Sequence, residues 1–586
     1  LVHYDHLISK VQMTHKFIPP HLRKFIVEQN YENYTAIDHA VWRFIMRISK
    51  SFFEKHAHVS YLDGLKKTGI TIDRIPHVND MDYKLSQFGW GAVCVRGFIP
   101  PAAFMELQSR GILAIAADMR TLEHLTYTPA PDIVHEAAGH APIIVDPDYA
   151  AYLHHYGEVS SKAISSRDDY NLYLAIRELS DVKEDASSTE IDVKNAELEL
   201  EETIKNCNYL SEAAYLARMN WWTVEYGLVG EIDSPKIYGA GLLSSVGESQ
   251  NCLTEKVQKV PFSLDCINTS YDITEPQPQL FVTPNFGKLS DVLEEMAATM
   301  AFRLGGTEGL LKAKDAGTVC TAEYDSKVQI SGILKNIILE KNGNPAYLQY
   351  EGPTQLSRYG NELDDHGGDY HSLGFGTPVG DVKNFNKPLC DFNDDDIDRL
   401  NLKLGESIEI CFKSGVLVNG KLVNILQDNG RILILSFENC TVTRNDEVLF
   451  LPEWGTYDMT CGGSIVSVYG GPADYDNYQQ FLPDDKPKNI KISSKLELSK
   501  SDLKLDSLYL NVREIRETST PPNISELAKI YSTVTTEYPD DWLLSMQLLE
   551  LGDGATWAND TRNKLEIMAD ENSDLGTVIK RGLAIL

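Results

Sequence analysis

Paired cysteines are the first thing this chain lacks. Nine cysteines are spread over 586 residues, and no two form a CxxC pair. That spacing excludes a thiolate zinc site and a disulfide framework, and it fits a reducing, cytoplasmic setting. No apolar run approaches the roughly 20 residues that cross a bilayer. The opening LVHYDHLISKVQMTHKF is interrupted by His, Asp and Lys and does not read as a signal peptide. Positive charge is also scarce: 54 Lys and Arg stand against 85 Asp and Glu, a formal net charge of −31. Such a surface repels phosphate backbones and anionic lipid, so neither nucleic acid nor membrane is an expected partner. Internal repeats and low-complexity tracts are missing too. What remains, 42% apolar and 24% charged residues, is a globular composition, and the length calls for two to four units.

Texture divides the chain. Residues 1–315 read mainly as helix. HAVWRFIMRISKSFFEKH sets Val41, Phe44, Ile45 and Ile48 at helical spacing, and PAAFMELQSRGILAIAADM opens on prolines before a second apolar stripe. Within this part, about 160–212 reads as a helical insert. Its segment DASSTEIDVKNAELELEETIKN is acidic, with Ser188 and Thr189 as caps and a narrow stripe of Val193, Ala196, Leu200 and Ile204. Over 320–485 short runs rich in Val, Ile, Leu and Phe predict a β-rich domain, sandwich or barrel. Asn342-Gly343, Asn419-Gly420 and Asn429-Gly430 predict its hairpin turns. Residues 486–522 read as a linker, and 523–586 return to helix, opened by Ser525, Glu526, Leu527 and Ile530. The expected fold class is therefore multidomain: a mainly α unit, a β-rich domain and a C-terminal helical segment.

The string TYTPAPDIVHEAAGHAP carries the most chemistry. His135 and His140, with Glu136 beside the first, form a donor set suited to a divalent metal. The zinc peptidase motif HExxH is the competing pattern, but there the histidines are four apart. Here they are five apart, which on an ideal helix turns the second ring by about 140° from the first. Both rings reach one ion only if the helix distorts or ends between them, and Gly139 and Pro142 are suited to such an ending. Glu225 lies in NWWTVEYGLVGE among Trp221, Trp222, Val224, Tyr226 and Leu228. Burying a carboxylate there is expensive unless it is paired or binds a metal. The bland alternative is a salt bridge to Arg218 or Lys236.

HEAAGH, WWTVEYGL and YGAGLLSSVGE, in this order, resemble the catalytic domain of the tetrahydropterin-dependent aromatic amino acid hydroxylases. The resemblance extends through YTAIDHAVWRFI, VRGFIPPAAFMEL and FVTPNFGKLSDVLEEMAATMAF, and it covers roughly residues 15–305 outside the insert. It implies an aromatic amino acid monooxygenase that uses Fe(II), a tetrahydropterin and dioxygen as co-substrate. It implies iron held by His135, His140 and Glu225, with Ser244 and Asp132 supporting the site from behind. Arg120 would clamp the amino acid's carboxylate, and Thr128 and Trp221 would line its pocket. Gly97, Phe98, Ile99, Phe104 and Glu136 would meet the pterin. The chain departs from the family pattern at Ala114, Asn220 and Ala130, where His, Tyr and Glu are frequent. Trp221 and Ile273 favour phenylalanine, converted to tyrosine, over tyrosine or tryptophan as substrate. Only about fifteen residues precede the resemblance, so the family's usual regulatory domain is not expected.

The C-terminal half carries no resemblance. His366 and His371 in DDHGGDYHSLGFG read as residues of a Gly-rich loop rather than as a second metal site. DFNDDDID starts like a calcium loop but lacks the glycine and glutamate an EF-hand needs, and it reads as a solvated acidic turn. This half is the candidate surface for a homodimer. Against the hydroxylase stand a tryptophan hydroxylase of the same family, a zinc-dependent hydrolase and a non-catalytic amino-acid-binding protein.

Overall fold

The computed structural model describes residues 18–125, 131–184, 188–272, 275–483, 499–518, 521–571 and 573–586. Among them, no helix is long and apolar enough to cross a membrane. The helical part is organised around Ala36–His56. Thr35 begins this helix with a capping box: its hydroxyl accepts from the Asp38 N–H and its own N–H donates to the Asp38 carboxylate. Val41, Trp42, Phe44, Ile45 and Ile48 then face a core shared with helices Pro147–Ser160 and Phe286–Ala297.

Two small sheets interrupt the helices. Gly91–Val95 pairs in parallel with Ile112–Ala116, and Lys236–Ile237, Leu228–Val229, Gln279–Thr283 and Gln258–Pro261 form a second sheet in that order. Both strands of the first are buried on every residue. Such runs show no alternation, so periodicity does not separate them from buried helix. The insert is a pair of packed helices, Arg167–Glu184 and Glu190–Asn206. Of its expected stripe, Ala196 and Leu200 are buried, while Ile204 lies outside.

The β-rich region begins at Val319 and comprises two antiparallel sheets. The first runs Asn361–Glu362, Pro345–Arg358, Val328–Leu339, Val319–Tyr324, Ile465–Gly470, with Gly374–Pro378 also paired to Pro345–Arg358. The second runs Ser407–Cys411, Val416–Asp428, Arg431–Arg444, Glu447–Phe450, with Tyr457–Thr460 on Arg431–Arg444. Asn429-Gly430 makes a hairpin, both residues at positive φ. Asn419-Gly420 does not. It lies inside Val416–Asp428 at a register shift, where a Gly420 side chain would meet Cys440 at 3.0 Å. A strand glycine of this kind marks a bulge and a close approach, not a turn. DFNDDDID also differs from its expectation. Asn393 caps a short helix, Asp394–Leu400, and Asp396 is buried and ion-paired with Lys387.

The stretch 486–522, expected as a linker, contains the helix Lys500–Thr518. Its Lys and Ser content hid an apolar stripe of Leu508, Val512 and Ile515, which is buried. Together with Ile524–Glu537, Trp542–Leu551 and the last two helices, it completes the core of the helical part rather than forming a unit apart. Phe44 meets Trp542 edge to face at 5.1 Å. The β-rich region is thus an excursion from a helical body that resumes after it. It is tied back by Ser467, whose hydroxyl donates to Phe302 O at 2.9 Å, and by Gly470 N–H, which donates to Lys162 O at 3.1 Å.

Candidate metal centre

The two segments that carry the expected ligands are both π-helical turns, Val134–His140 and Trp221–Glu225. Bonding from i to i+5 widens the helix, which brings residues five apart toward one face. Of the two ways the histidine spacing allows, the helix therefore distorts and does not end between them. Gly139 is accordingly not a left-handed cap. Its role is close approach: a side chain there would lie 2.7 Å from Ala240 O. Pro142 opens the following 3-10 turn, Ala141–Val145.

His135 Nε2 and His140 Nε2 lie 3.1 Å apart. Glu225 reaches both, with Oε2 at 3.3 Å from His135 and Oε1 at 3.4 Å from His140. Glu136, the nearest other carboxylate, stands 3.8 Å from His140. The bland partners of Glu225 are engaged elsewhere: Arg218 donates to Ile267 O and Lys236 to Lys55 O. Burial works against a charged Glu225, but His140 and His135 outweigh it and hold its carboxyl far below the usual range. Glu136 goes the other way. Burial, with the charges of Glu225 and Asp132 and against His140, pushes its carboxyl up to about 8. Its Oε2 is buried without a hydrogen-bond partner.

Ser244 orients the first imidazole. Its hydroxyl donates to Ala240 O at 2.8 Å and lies 3.0 Å from His135 Nδ1. A hydroxyl has one proton, so toward His135 it accepts, and Nδ1 carries the hydrogen. The neutral ring then presents a bare lone pair at Nε2 toward His140 and Glu225. Two imidazole nitrogens and a carboxylate converging on one point fit a divalent cation.

Arg120 and Asp132 form a fork, Nε to Oδ2 at 2.7 Å and Nη2 to Oδ1 at 2.8 Å, both side chains buried. Burial resists the Asp132 charge, and the guanidinium more than offsets this, lowering its pKa. Asp132 Oδ1 also accepts from the His135 N–H at 3.1 Å, tying this pair to the metal turn. Arg120 Nη1 has only a long contact, 3.4 Å to Ser244 O. Trp221 is stacked between Tyr226 at 4.6 Å and Tyr271 at 4.4 Å. Neither tyrosine was singled out from sequence: Tyr226 sits inside the WWTVEYGL motif, while Tyr271 arrives from a loop with no periodicity. Gly97, Phe98, Ile99 and Phe104 follow the strand Gly91–Val95 into helix Pro101–Ser109, with Ile99 buried and Phe104 at the edge of a small core. The insert reaches this segment, since the Tyr173 hydroxyl donates to Phe98 O at 3.4 Å. Thr128, Ala130 and Ile273 lie outside the described residues.

A match to the biopterin-dependent aromatic amino acid hydroxylases covers residues 26–173 and 210–305. The phenylalanine-4-hydroxylase of Mesorhizobium japonicum is 31% identical over 274 residues, 46% of this chain and 83% of that protein. The chain belongs to this hydroxylase family. The Pseudomonas aeruginosa phenylalanine-4-hydroxylase is 28% identical over 294 residues, 49% of this chain and 95% of its own length. Among solved structures, Chromobacterium violaceum phenylalanine hydroxylase with iron(III) and 7,8-dihydrobiopterin is 28% identical, covering 47% of this chain and 85% of that one, with a TM-score of 0.37. The gap in the family match falls on the paired insert helices, and the match ends before Val319, where the β-rich region begins.

Proposed function

We propose that this family member is an iron- and tetrahydropterin-dependent monooxygenase that converts L-phenylalanine to L-tyrosine, with His135, His140 and Glu225 as the iron ligands. The convergence of His135 Nε2, His140 Nε2 and the Glu225 carboxylate within 3.1–3.4 Å carries this reading. Among the matched curated relatives are phenylalanine-4-hydroxylases of eight organisms, which favours phenylalanine over tryptophan. Iron and reduced pterin, when bound, supply the activation of dioxygen. The protein's own part is orientation. Ser244 sets the His135 tautomer. Asp132 immobilises one edge of Arg120, leaving Nη1 to grip an amino-acid carboxylate. Trp221, its faces stacked on Tyr226 and Tyr271, offers a rigidly held ring edge to an aromatic substrate. Glu136, Phe104 and the Gly97–Ile99 backbone are assigned to the pterin. In this reading residues 1–315 and the C-terminal helices form one catalytic body, and 320–485 a β-rich domain.

The deciding experiment is a substrate panel. Purified protein with Fe(II), tetrahydrobiopterin and oxygen should convert phenylalanine to tyrosine faster than it hydroxylates tryptophan or tyrosine. Absence of product with all three amino acids overturns the proposal.

A further inference from the structure

We infer that the β-rich region contains a second metal site, built from His366, His371 and Asp458, for a divalent transition ion of the zinc class. His366 Nδ1 and His371 Nε2 face each other at 3.2 Å. One donor atom from each of the three residues lies within 4.8 Å of the other two. A tetrahedral zinc ion with bonds of about 2.0–2.1 Å separates neighbouring donors by about 3.3 Å, close to the separation of these two nitrogens. All three residues are buried, at 6%, 7% and 5% exposure. Two imidazoles and a carboxylate withdrawn together from water are the set that a bound cation compensates.

The surroundings hold these donors in place. His366 O accepts from Leu356 N–H at 2.9 Å and His371 O from Thr354 N–H at 3.2 Å, so both histidines are pinned to strand Pro345–Arg358 of the first sheet. Asp458 belongs to Tyr457–Thr460 of the second sheet, paired opposite Ser436. The Ser436 hydroxyl donates to Asp458 Oδ1 at 2.6 Å, an orienting contact of the kind that accompanies metal-bound carboxylates. Gly368 lets the loop between the histidines pack against the Phe481 ring, where a side chain would collide. The ion would thus join the two sheets, a structural role distinct from the hydroxylase centre. The Tyr370 ring packs edge to face against both imidazoles, at 5.9 Å from His366 and 4.7 Å from His371.

Metal content of the 586-residue protein, measured by plasma mass spectrometry, tests the inference. Two equivalents per chain are expected. His371→Asn should lose one and keep phenylalanine hydroxylation, while His135→Ala combined with His140→Ala should lose the other. A single equivalent that vanishes entirely in the double variant overturns the second site. A second measurement does not depend on how His371→Asn folds. Co2+ added to the metal-stripped double variant should give the visible bands of near-tetrahedral Co2+, and their absence also overturns the inference.

Discussion

Arg43 and Glu550 meet in a two-pronged ion pair, Nη1 to Oε2 at 2.7 Å and Nη2 to Oε1 at 2.6 Å, across 507 residues of sequence. Arg47 adds a third contact to the same carboxylate at 2.7 Å. Burial opposes the charge on Glu550, but Arg43, Arg47 and Arg516 outweigh it and lower its pKa. The pair sits beside Phe44 and Trp542, where the last helices close the core begun by Ala36–His56.

A chain ending at residue 315 would therefore lose part of its catalytic core and not merely an appendage. It is expected to aggregate or to melt well below the 586-residue protein in calorimetry, with activity falling in parallel. In the intact chain, Arg43→Ala removes the two-pronged partner of Glu550 and leaves it the charges of Arg47 and Arg516, and should lower stability in urea by about 3 kcal/mol. Unchanged stability and activity in the shortened chain would refute this view of the C-terminal helices.

Ser244→Ala removes the acceptor for His135 Nδ1–H without touching a metal donor. Iron affinity, measured by competition with a chelator, should weaken about 10–100-fold. Glu225→Ala should abolish stoichiometric iron and turnover while the far-ultraviolet circular dichroism stays that of the parent. Normal turnover in Glu225→Ala would remove Glu225 from the ligand set.

Arg120→Lys keeps the charge and discards the fork that Asp132 holds. Losing a charge-assisted hydrogen bond of about 1.5–3 kcal/mol should raise KM for phenylalanine about 10–100-fold. The fall in kcat should be smaller. Steady-state kinetics separates the two, and a change confined to kcat would contradict a carboxylate clamp.

His21 links the helical part to the β-rich region, with Nε2 at 2.8 Å from Glu106 and Nδ1 at 2.9 Å from Asp476. Burial opposes its protonation, but the two carboxylates raise its pKa above 6.5. Burial likewise opposes the Glu106 charge, and His21 with Arg110 lowers that pKa below 4.5. The His21 share of stability is complete below about 6.5 and lost as pH rises through its raised value. The Glu106 share is present above about 4.5 and lost as pH falls through its lowered value. The Tm difference between the parent and His21→Asn should thus be largest near about pH 5–6 and shrink toward about pH 9. A difference that does not vary with pH would remove the charge from this contact.

Much of the molecule is readable from neighbouring residues alone. The change from helical to strand texture near residue 320 follows from local periodicity and β-branched content. The five-residue histidine spacing demanded a helix that distorts or ends, because a regular one turns the second ring away, and only the structure decided for distortion. Motif order identified the family, since it preserves site chemistry across large changes elsewhere.

Other features arose only when distant surfaces met. Ser244 orients His135 from 109 residues away, and Ala240 approaches the backbone at Gly139. Asn419-Gly420 has the composition of a turn but serves the approach of Cys440 within a strand. Within the stretch expected as a linker, Lys500–Thr518 is a helix because Leu508, Val512 and Ile515 find a face prepared some 450 residues earlier. His366 and His371 read as loop residues until the second sheet brings Asp458 beside them. Short-range patterns set what each segment is able to form. Which segments touch is settled by burial over the whole chain, and there the donors, cores and ion pairs of this hydroxylase were decided.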